Sequence, residues 1–209
     1  MLVAPNSMLF FLPLALLAWC GSALAEIKTI NIKDRVSYIN GIYGTEFDPG
    51  EKVEITITVD DSIADFDPRP NYGFYSWEAL VLLEVEFKSS GHRFVAQGSS
   101  AIFNPIGVYN DIDLGNKKCS DQLAYLAWTP LSGSLGGYPL AAMEVDFQKN
   151  TLVTCPTMLI NDGLPTDLFS YESGWVLLKV DDGTSDWMEI LFEKFPWQMF
   201  FPRIQIPGQ

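Results

Sequence analysis

Apolar and polar residues alternate along two neighbouring stretches of this chain. Residues 53–59 read VEITITV, and residues 80–87 read LVLLEVEF. Because successive side chains of a β-strand point to opposite faces, this two-residue period predicts strands with one buried face. The acidic segment 60–71, which contains two prolines, predicts a loop between the two strands.

Similar short strands are predicted along the rest of the chain. The apolar runs 175–180 and 187–192 flank the acidic turn 181–186 and predict a hairpin. Residues 26–33 predict an edge strand, and residues 110–116 predict a second acidic turn. No sustained helical period follows residue 25. About ten strands between Gly, Pro and Asp turns predict an all-β antiparallel sandwich of jelly-roll-like form, as one domain over residues 26–195, followed by a proline- and aromatic-containing tail at 196–209.

The N-terminal segment has the pattern of a signal peptide. An apolar run at 8–18 is followed by small residues and by Ala23, Leu24 and Ala25, which predict cleavage before Glu26. The run is too short for a permanent membrane anchor. We therefore expect a secreted, periplasmic or cell-surface protein. A lipoprotein is an alternative, because Cys20 is followed by glycine and serine.

Charge and cysteine count restrict the partners and the compartment. The formal net charge is −13, which disfavours binding to nucleic acid or to anionic membranes. Cleavage leaves two cysteines, Cys119 and Cys155. An even pair in an exported protein predicts one disulfide, and two buried free thiols are the alternative.

Four carboxylates lie close together in the loop after the first strand. Asp60, Asp61, Asp65 and Asp67 fall within eight residues. Two interpretations are open: a structural calcium site, since Ca²⁺ prefers several oxygen ligands, or a solvated acidic turn. Residues 111–113 and 181–186 are weaker versions of the same pattern. None of these segments has the EF-hand spacing.

Candidate catalytic groups are few. His92 is the single histidine, and it lies in a predicted hairpin without a nucleophile motif. Glu84 with Glu86, and Glu144 with Asp146, share strand faces and are candidate carboxylate pairs for glycoside hydrolysis. Outward charges at alternate positions of a half-buried strand explain the same pattern, and we expect no catalytic function.

Aromatic residues make up 13% of the chain. Exposed rings in a row would stack on sugars, whereas most tryptophans of a sandwich belong to its core. The tryptophans that remain after cleavage are Trp77, Trp128, Trp175, Trp187 and Trp197.

Several short motifs together resemble a known family. They include GTEF at 44–47 before Pro49 and Gly50, Tyr75 ahead of an apolar strand, and LPTDL at 164–168 ahead of the last hairpin. This pattern resembles exported β-rich bacterial proteins that carry a PEP-CTERM sorting signal. The resemblance implies a secreted or surface-matrix component. The chain ends FPRIQIPGQ, without the sorting signal itself, so membrane sorting by that route is not expected.

Together these observations predict a non-catalytic exported surface or extracellular-matrix module. A carbohydrate-binding module is the first alternative, and a glycoside hydrolase is the second. The expected partner is a polysaccharide or the cell-surface matrix, and calcium is the one candidate ion.

Overall fold

The computed structural model describes residues 27–69, 72–97, 106–115, 118–128, 131–151, 164 and 171–193. The predicted signal peptide at 1–25 and the tail at 196–209 lie outside these residues. The described elements are twelve strands and two short 3-10 turns, Gly44–Glu46 and Trp77–Ala79. The strands are β1 (Ile27–Asn40), β2 (Lys52–Asp60), β3 (Tyr72–Tyr75), β4 (Leu80–Phe87), β5 (Arg93–Gln97), β6 (Ile106–Gly115), β7 (Lys118–Trp128), β8 (Leu131–Ser132), β9 (Ser134–Leu135), β10 (Tyr138–Thr151), β11 (Ser173–Val180) and β12 (Met188–Glu193).

The all-β prediction is confirmed. The strands pair in the order β3-β6-β7-β10-β11-β12-β1-β2-β4-β5-β8, and β9 pairs with β10. Every pairing is antiparallel, and the sheet curls as a half-barrel. The predicted strands at 53–59 and 80–87 are β2 and β4, and the predicted C-terminal hairpin is β11 with β12.

Strand β1 joins the two arms of the curled sheet. Its first nine residues, 27–35, pair with β2, whereas residues from Val36 onward pair with β12. The pairing with β12 shifts between Val36 and Tyr38, as at a β-bulge. A bulge bends a strand and increases its twist, which lets one long strand turn from one arm into the other.

One local strand prediction is confirmed and one turn prediction is wrong. The edge strand predicted at 26–33 is the first part of β1, which over residues 27–33 pairs with β2 alone among the described strands. The turn predicted at 110–116 falls largely within β6, whose pairing with β7 is shifted between Tyr109 and Ile112 and again between Asp113 and Gly115. Irregular pairing accommodates turn-forming residues inside a strand, so composition alone did not separate a turn from an irregular strand.

The core fills the concave side of the sheet. Alternate residues of nearly every long strand point inward and are at most 7% exposed, as the two-residue period predicts. These inward residues form one cluster, which includes Ile30, Ile32, Val53, Ile55, Ile57, Val59, Leu83, Val85, Phe87, Phe94, Ile106, Val108, Leu123, Tyr125, Met143, Val145, Phe147, Val176, Leu178, Ile190 and Phe192.

Candidate functional site

A groove of about 190 Å³ lies between the end of β1 and the β11–β12 hairpin. Its floor is apolar and consists of Leu178, Val180 and Met188, each at most 5% exposed. Gly41 has a φ of 129°, and a Cβ at this position would lie 3.0 Å from Met188. The absence of a side chain at Gly41 therefore brings the backbone close to the floor of the groove.

The β11–β12 turn forms one wall of the groove with Asp182, Asp186 and Trp187. Asp182 organises this turn through Oδ1, which accepts hydrogen bonds from the Thr184 amide at 2.9 Å and from Thr184 Oγ1 at 2.7 Å. An aspartate that binds the backbone two residues later is a common turn former. These hydrogen bonds fix Asp182 at the edge of the groove.

Tyr43 lies on the opposite wall of the groove and is linked to the β11–β12 turn by a hydrogen bond. Its hydroxyl donates a hydrogen bond to Oδ2 of Asp182 at 2.9 Å. Desolvation, reinforced by the hydrogen bond and charge of Asp182, raises the pKa of Tyr43 to about 12. The pKa of Asp182 is lowered, chiefly by the hydrogen bonds from Thr184 and further by Tyr43. Asp182 is therefore an ionised acceptor at neutral pH.

The β9–β10 turn supports the ring of Tyr43 from behind. Gly136 has a φ of 58°, and a Cβ there would lie 2.2 Å from Cε1 of Tyr43. The Gly136 amide donates a hydrogen bond to Oε1 of Glu46 at 2.7 Å. Tyr138, whose ring centroid lies 6.4 Å from that of Tyr43, is 44% exposed. Two segments distant in sequence, the β9–β10 turn and the β11–β12 turn, thus hold Tyr43 in place.

Two aromatic residues, Tyr43 and Trp187, line the groove, and the rings described at this end of the molecule do not form a flat platform. Trp187 meets Trp128 edge to face at 6.1 Å, and Tyr43 meets Tyr138 at an interplanar angle of 53°. Trp175, like Trp128 and Trp187, is half-buried. The side chain of Trp77 and all of Trp197 lie outside the described residues. Within the described part of the chain, no coplanar row of rings is seen among these pairs.

Each of the four aspartates of the predicted calcium loop interacts with a different group of the protein. Asp60 accepts hydrogen bonds from Ser62, and Asp61 forms an ion pair with Lys28. Oδ1 of Asp65 accepts hydrogen bonds from the amides of Asp67 and Phe74, both at 2.8 Å.

Asp67 is matched by Arg69. The guanidinium donates to both carboxylate oxygens, from Nε to Oδ1 at 2.8 Å, and these hydrogen bonds lower the pKa of Asp67 to about 2. Among the described residues, no three His, Cys, Asp or Glu side chains are grouped as a metal site requires. The geometry gives no support to the calcium site, which remains a prediction.

The carboxylates proposed for hydrolysis lie on strands and not in the groove. Glu84 forms an ion pair with Arg93 at 2.6 Å, and Glu86 forms one with Lys88 at 2.6 Å. Lys88 also contacts Glu54 at 2.8 Å. These pairs form a charged outer surface on β2, β4 and β5, as alternating strand residues would.

The second carboxylate pair and the single histidine are also away from the groove. Asp146 is 1% exposed and Glu144 is half-buried, both on β10. His92 stacks on Phe94, with an interplanar angle of 8°, and its Nε2 lies 3.3 Å from Oε2 of Glu46. These contacts give His92 a packing role between β5 and the first 3-10 turn.

The predicted disulfide falls partly outside the described residues. Cys119 belongs to β7, but Cys155 is not among these residues, so the bond remains a prediction.

Some groove residues were singled out from the sequence, but for other roles. Trp187 was predicted to pack the two sheets, and the acidic turn 181–186 was a weak candidate for an ion site. Tyr43 and Tyr138 were missed. The glycine- and aromatic-rich segment around Tyr43 was the available signal, but its partner lies 139 residues away.

The described residues include no helix that is long and apolar enough to cross a membrane. Comparison with protein-family models, with curated proteins and with solved structures finds no match for this chain, so its function has to be argued from the groove and its surroundings.

Proposed function

We propose that this chain is a non-catalytic exported module of a cell surface or extracellular matrix, and that it binds carbohydrate in the groove beside the β11–β12 hairpin. One observation carries the binding proposal: the groove combines an apolar floor, the aromatic residues Trp187 and Tyr43, and the carboxylates Asp182 and Asp186. Small-ligand sites are concave and mostly apolar, with a few placed polar groups. A sugar ring matches this combination, because it has an apolar face and a rim of hydroxyl donors.

The charge state of the groove supports binding over hydrolysis. Most glycoside hydrolases use one carboxylic acid with a raised pKa to protonate the leaving group. Asp182 has a lowered pKa and is held by Thr184 and Tyr43. Glu84 and Glu86, the candidates from the sequence, are engaged by cations on the sheet surface.

The test of binding is a glycan array probed with the mature chain and with two variants. Trp187→Ala removes a groove residue that makes an edge-to-face contact, and Phe66→Ala is its matched control, because Phe66 makes a similar contact with Phe74 and does not line the groove. We expect Trp187→Ala to weaken binding at least about tenfold, equivalent to about 1.4 kcal/mol, and Phe66→Ala to leave it unchanged.

Two outcomes would reject the binding proposal. One is an array on which the mature chain binds no glycan, and the other is a Trp187→Ala variant that is folded and binds as well as the parent. The melting temperature of each variant distinguishes a lost contact from a lost fold.

Export is tested separately. Sequencing the N-terminus of the protein recovered outside the cytoplasm should find Glu26 first, as the Ala-Leu-Ala motif at 23–25 predicts. An intact Met1 on a cytoplasmic protein would contradict this part of the proposal.

The fold is established only as an antiparallel half-barrel. A jelly-roll-like sandwich over residues 26–195 stays a prediction, and an experimental structure of the mature chain would test it.

A further inference from the structure

Several carboxylates described on the surface of this acidic protein have a cation beside them, whereas the described lining of the groove includes no lysine or arginine. Asp67 faces Arg69, Glu84 faces Arg93, and Glu54 and Glu86 face lysines. Among the described residues that line the groove there are two aspartates and no lysine or arginine. Negative charge is therefore left without a protein counter-ion beside a cavity that has an apolar floor.

We infer that the groove selects saccharides that carry a protonated amine over neutral or carboxylated ones. This inference rests on the proposed function, and it names the class of sugar. An ammonium group next to a sugar ring would meet a carboxylate while the ring lies against the aromatic wall. Aromatic faces attract cations as well as the apolar face of the ring.

The two aspartates differ in how many hydrogen bonds their carboxylates already accept from the protein. Asp182 already accepts two hydrogen bonds from Thr184 through Oδ1 and one from Tyr43 through Oδ2. Asp186 is exposed, and the hydrogen bond described for it involves its backbone amide and not its carboxylate. Asp186 is therefore the residue that determines the preference for an amine, and Asp182 chiefly holds the wall in place.

The electrostatics around Tyr43 agree with this assignment. Besides desolvation, which is the largest cause, the carboxylates Asp182 and Glu46 act on the Tyr43 phenol through space to oppose its ionisation and raise its pKa. A negative field that disfavours a phenolate favours an ammonium ion at the same place. The same field disfavours the carboxylate of a uronic acid.

The experiment compares three oligosaccharides of equal length by calorimetry at a pH where the amine is protonated. They are a β-1,4-linked glucosamine tetramer, its N-acetylated counterpart and a uronic acid tetramer. We expect the parent protein to bind the amine form most tightly and the uronic acid form least. Asp186→Asn should reduce affinity for the amine form about fivefold, equivalent to about 1 kcal/mol, and should leave the N-acetylated form unchanged.

Asp181→Asn is the matched control, because Asp181 is an exposed aspartate of the same turn that does not line the groove. It changes the net charge equally and should leave the preference intact. If both variants weaken amine binding equally, the effect is one of net charge and the inference is wrong. If the parent prefers the neutral or the acidic form, the inference is wrong while the proposed carbohydrate binding stands. If the parent binds none of the oligosaccharides, both proposals fall.

Discussion

Glu51 offers the sharpest test of how this fold is held together. It is 4% exposed and lies just before β2. Its Oε1 accepts a hydrogen bond from the amide of Asp48 at 3.0 Å. Its Oε2 accepts three, from the amides of Ser89 and Ser90 and from the Ser90 hydroxyl, each at 3.1 Å. One buried carboxylate thus joins the turn before β2 to the turn between β4 and β5.

The substitution Glu51→Ala would leave three backbone amides in this region without their acceptor. Each hydrogen bond to a charged group contributes about 1.5–3 kcal/mol, and these contributions do not add fully. A buried donor left without its acceptor typically costs about 1–3 kcal/mol, and for three amides we expect a total loss of about 3–5 kcal/mol in the free energy of unfolding. For a domain of this size the melting temperature should fall by about 10–15 °C.

The assay is urea unfolding followed by tryptophan fluorescence, with a thermal scan as the second measure. Glu54→Gln is the control, because Glu54 is a carboxylate of the same sheet that pairs with Lys33 and Lys88 near the surface. Surface ion pairs contribute little, so this variant should unfold almost like the parent. If Glu51→Ala is no less stable than Glu54→Gln, Glu51 does not hold the two turns and the reasoning is refuted.

Three further predictions concern the groove and the cysteines. Gly136→Ala should lower the free energy of unfolding by about 1–2 kcal/mol, because Gly136 has a left-handed backbone conformation. It should also weaken glycan binding, because the new methyl group displaces the ring of Tyr43. Unchanged binding in a folded variant would contradict this. Because the pKa of Tyr43 rises from 10.0 to about 12 on folding, the stability it contributes is present below pH 10 and is lost as the pH rises towards 12. Tyr43→Phe also removes the hydrogen bond to Asp182, and its free energy of unfolding should change less between pH 10 and pH 12 than that of the parent. An equal pH dependence in the two proteins would count against this prediction. Thiol titration of the denatured, unreduced mature chain should find no free thiol if Cys119 and Cys155 are joined, and two free thiols would exclude the bond.

The strands could be predicted from the sequence because their signal is local. Each strand of a half-buried sheet repeats its burial every second residue, so β2 and β4 could be recognised within eight residues of sequence. The C-terminal hairpin was recognisable for the same reason, since the turn 181–186 carries its own turn-forming aspartates and glycine. No comparable local signal marked β1 as the strand shared by both arms, because its partners, β2 and β12, lie at opposite ends of the described chain.

Predictions of ligand sites from acidic segments were less successful than predictions of strands. Asp60, Asp65 and Asp67 each accept a hydrogen bond from the residue two positions later, as acidic turns do, whereas Asp61 pairs with the distant Lys28. A carboxylate takes the nearest donor or cation that the fold supplies, and that group need not be near in sequence. Composition therefore located acidic turns but did not identify which of them face a cavity.

By itself, the sequence determined the all-β class, the alternation that buries one face of each strand, and the acidic surface. Only the tertiary structure decided that Tyr43 and Asp182 meet at one groove and that Gly136 packs against the ring of Tyr43. Their meeting depends on the order in which the strands pair and on the bend in β1, and both are set by contacts between residues far apart in the chain. Strand periodicity specifies which face of a strand is buried, but the pairing partner is selected by packing of the whole sheet.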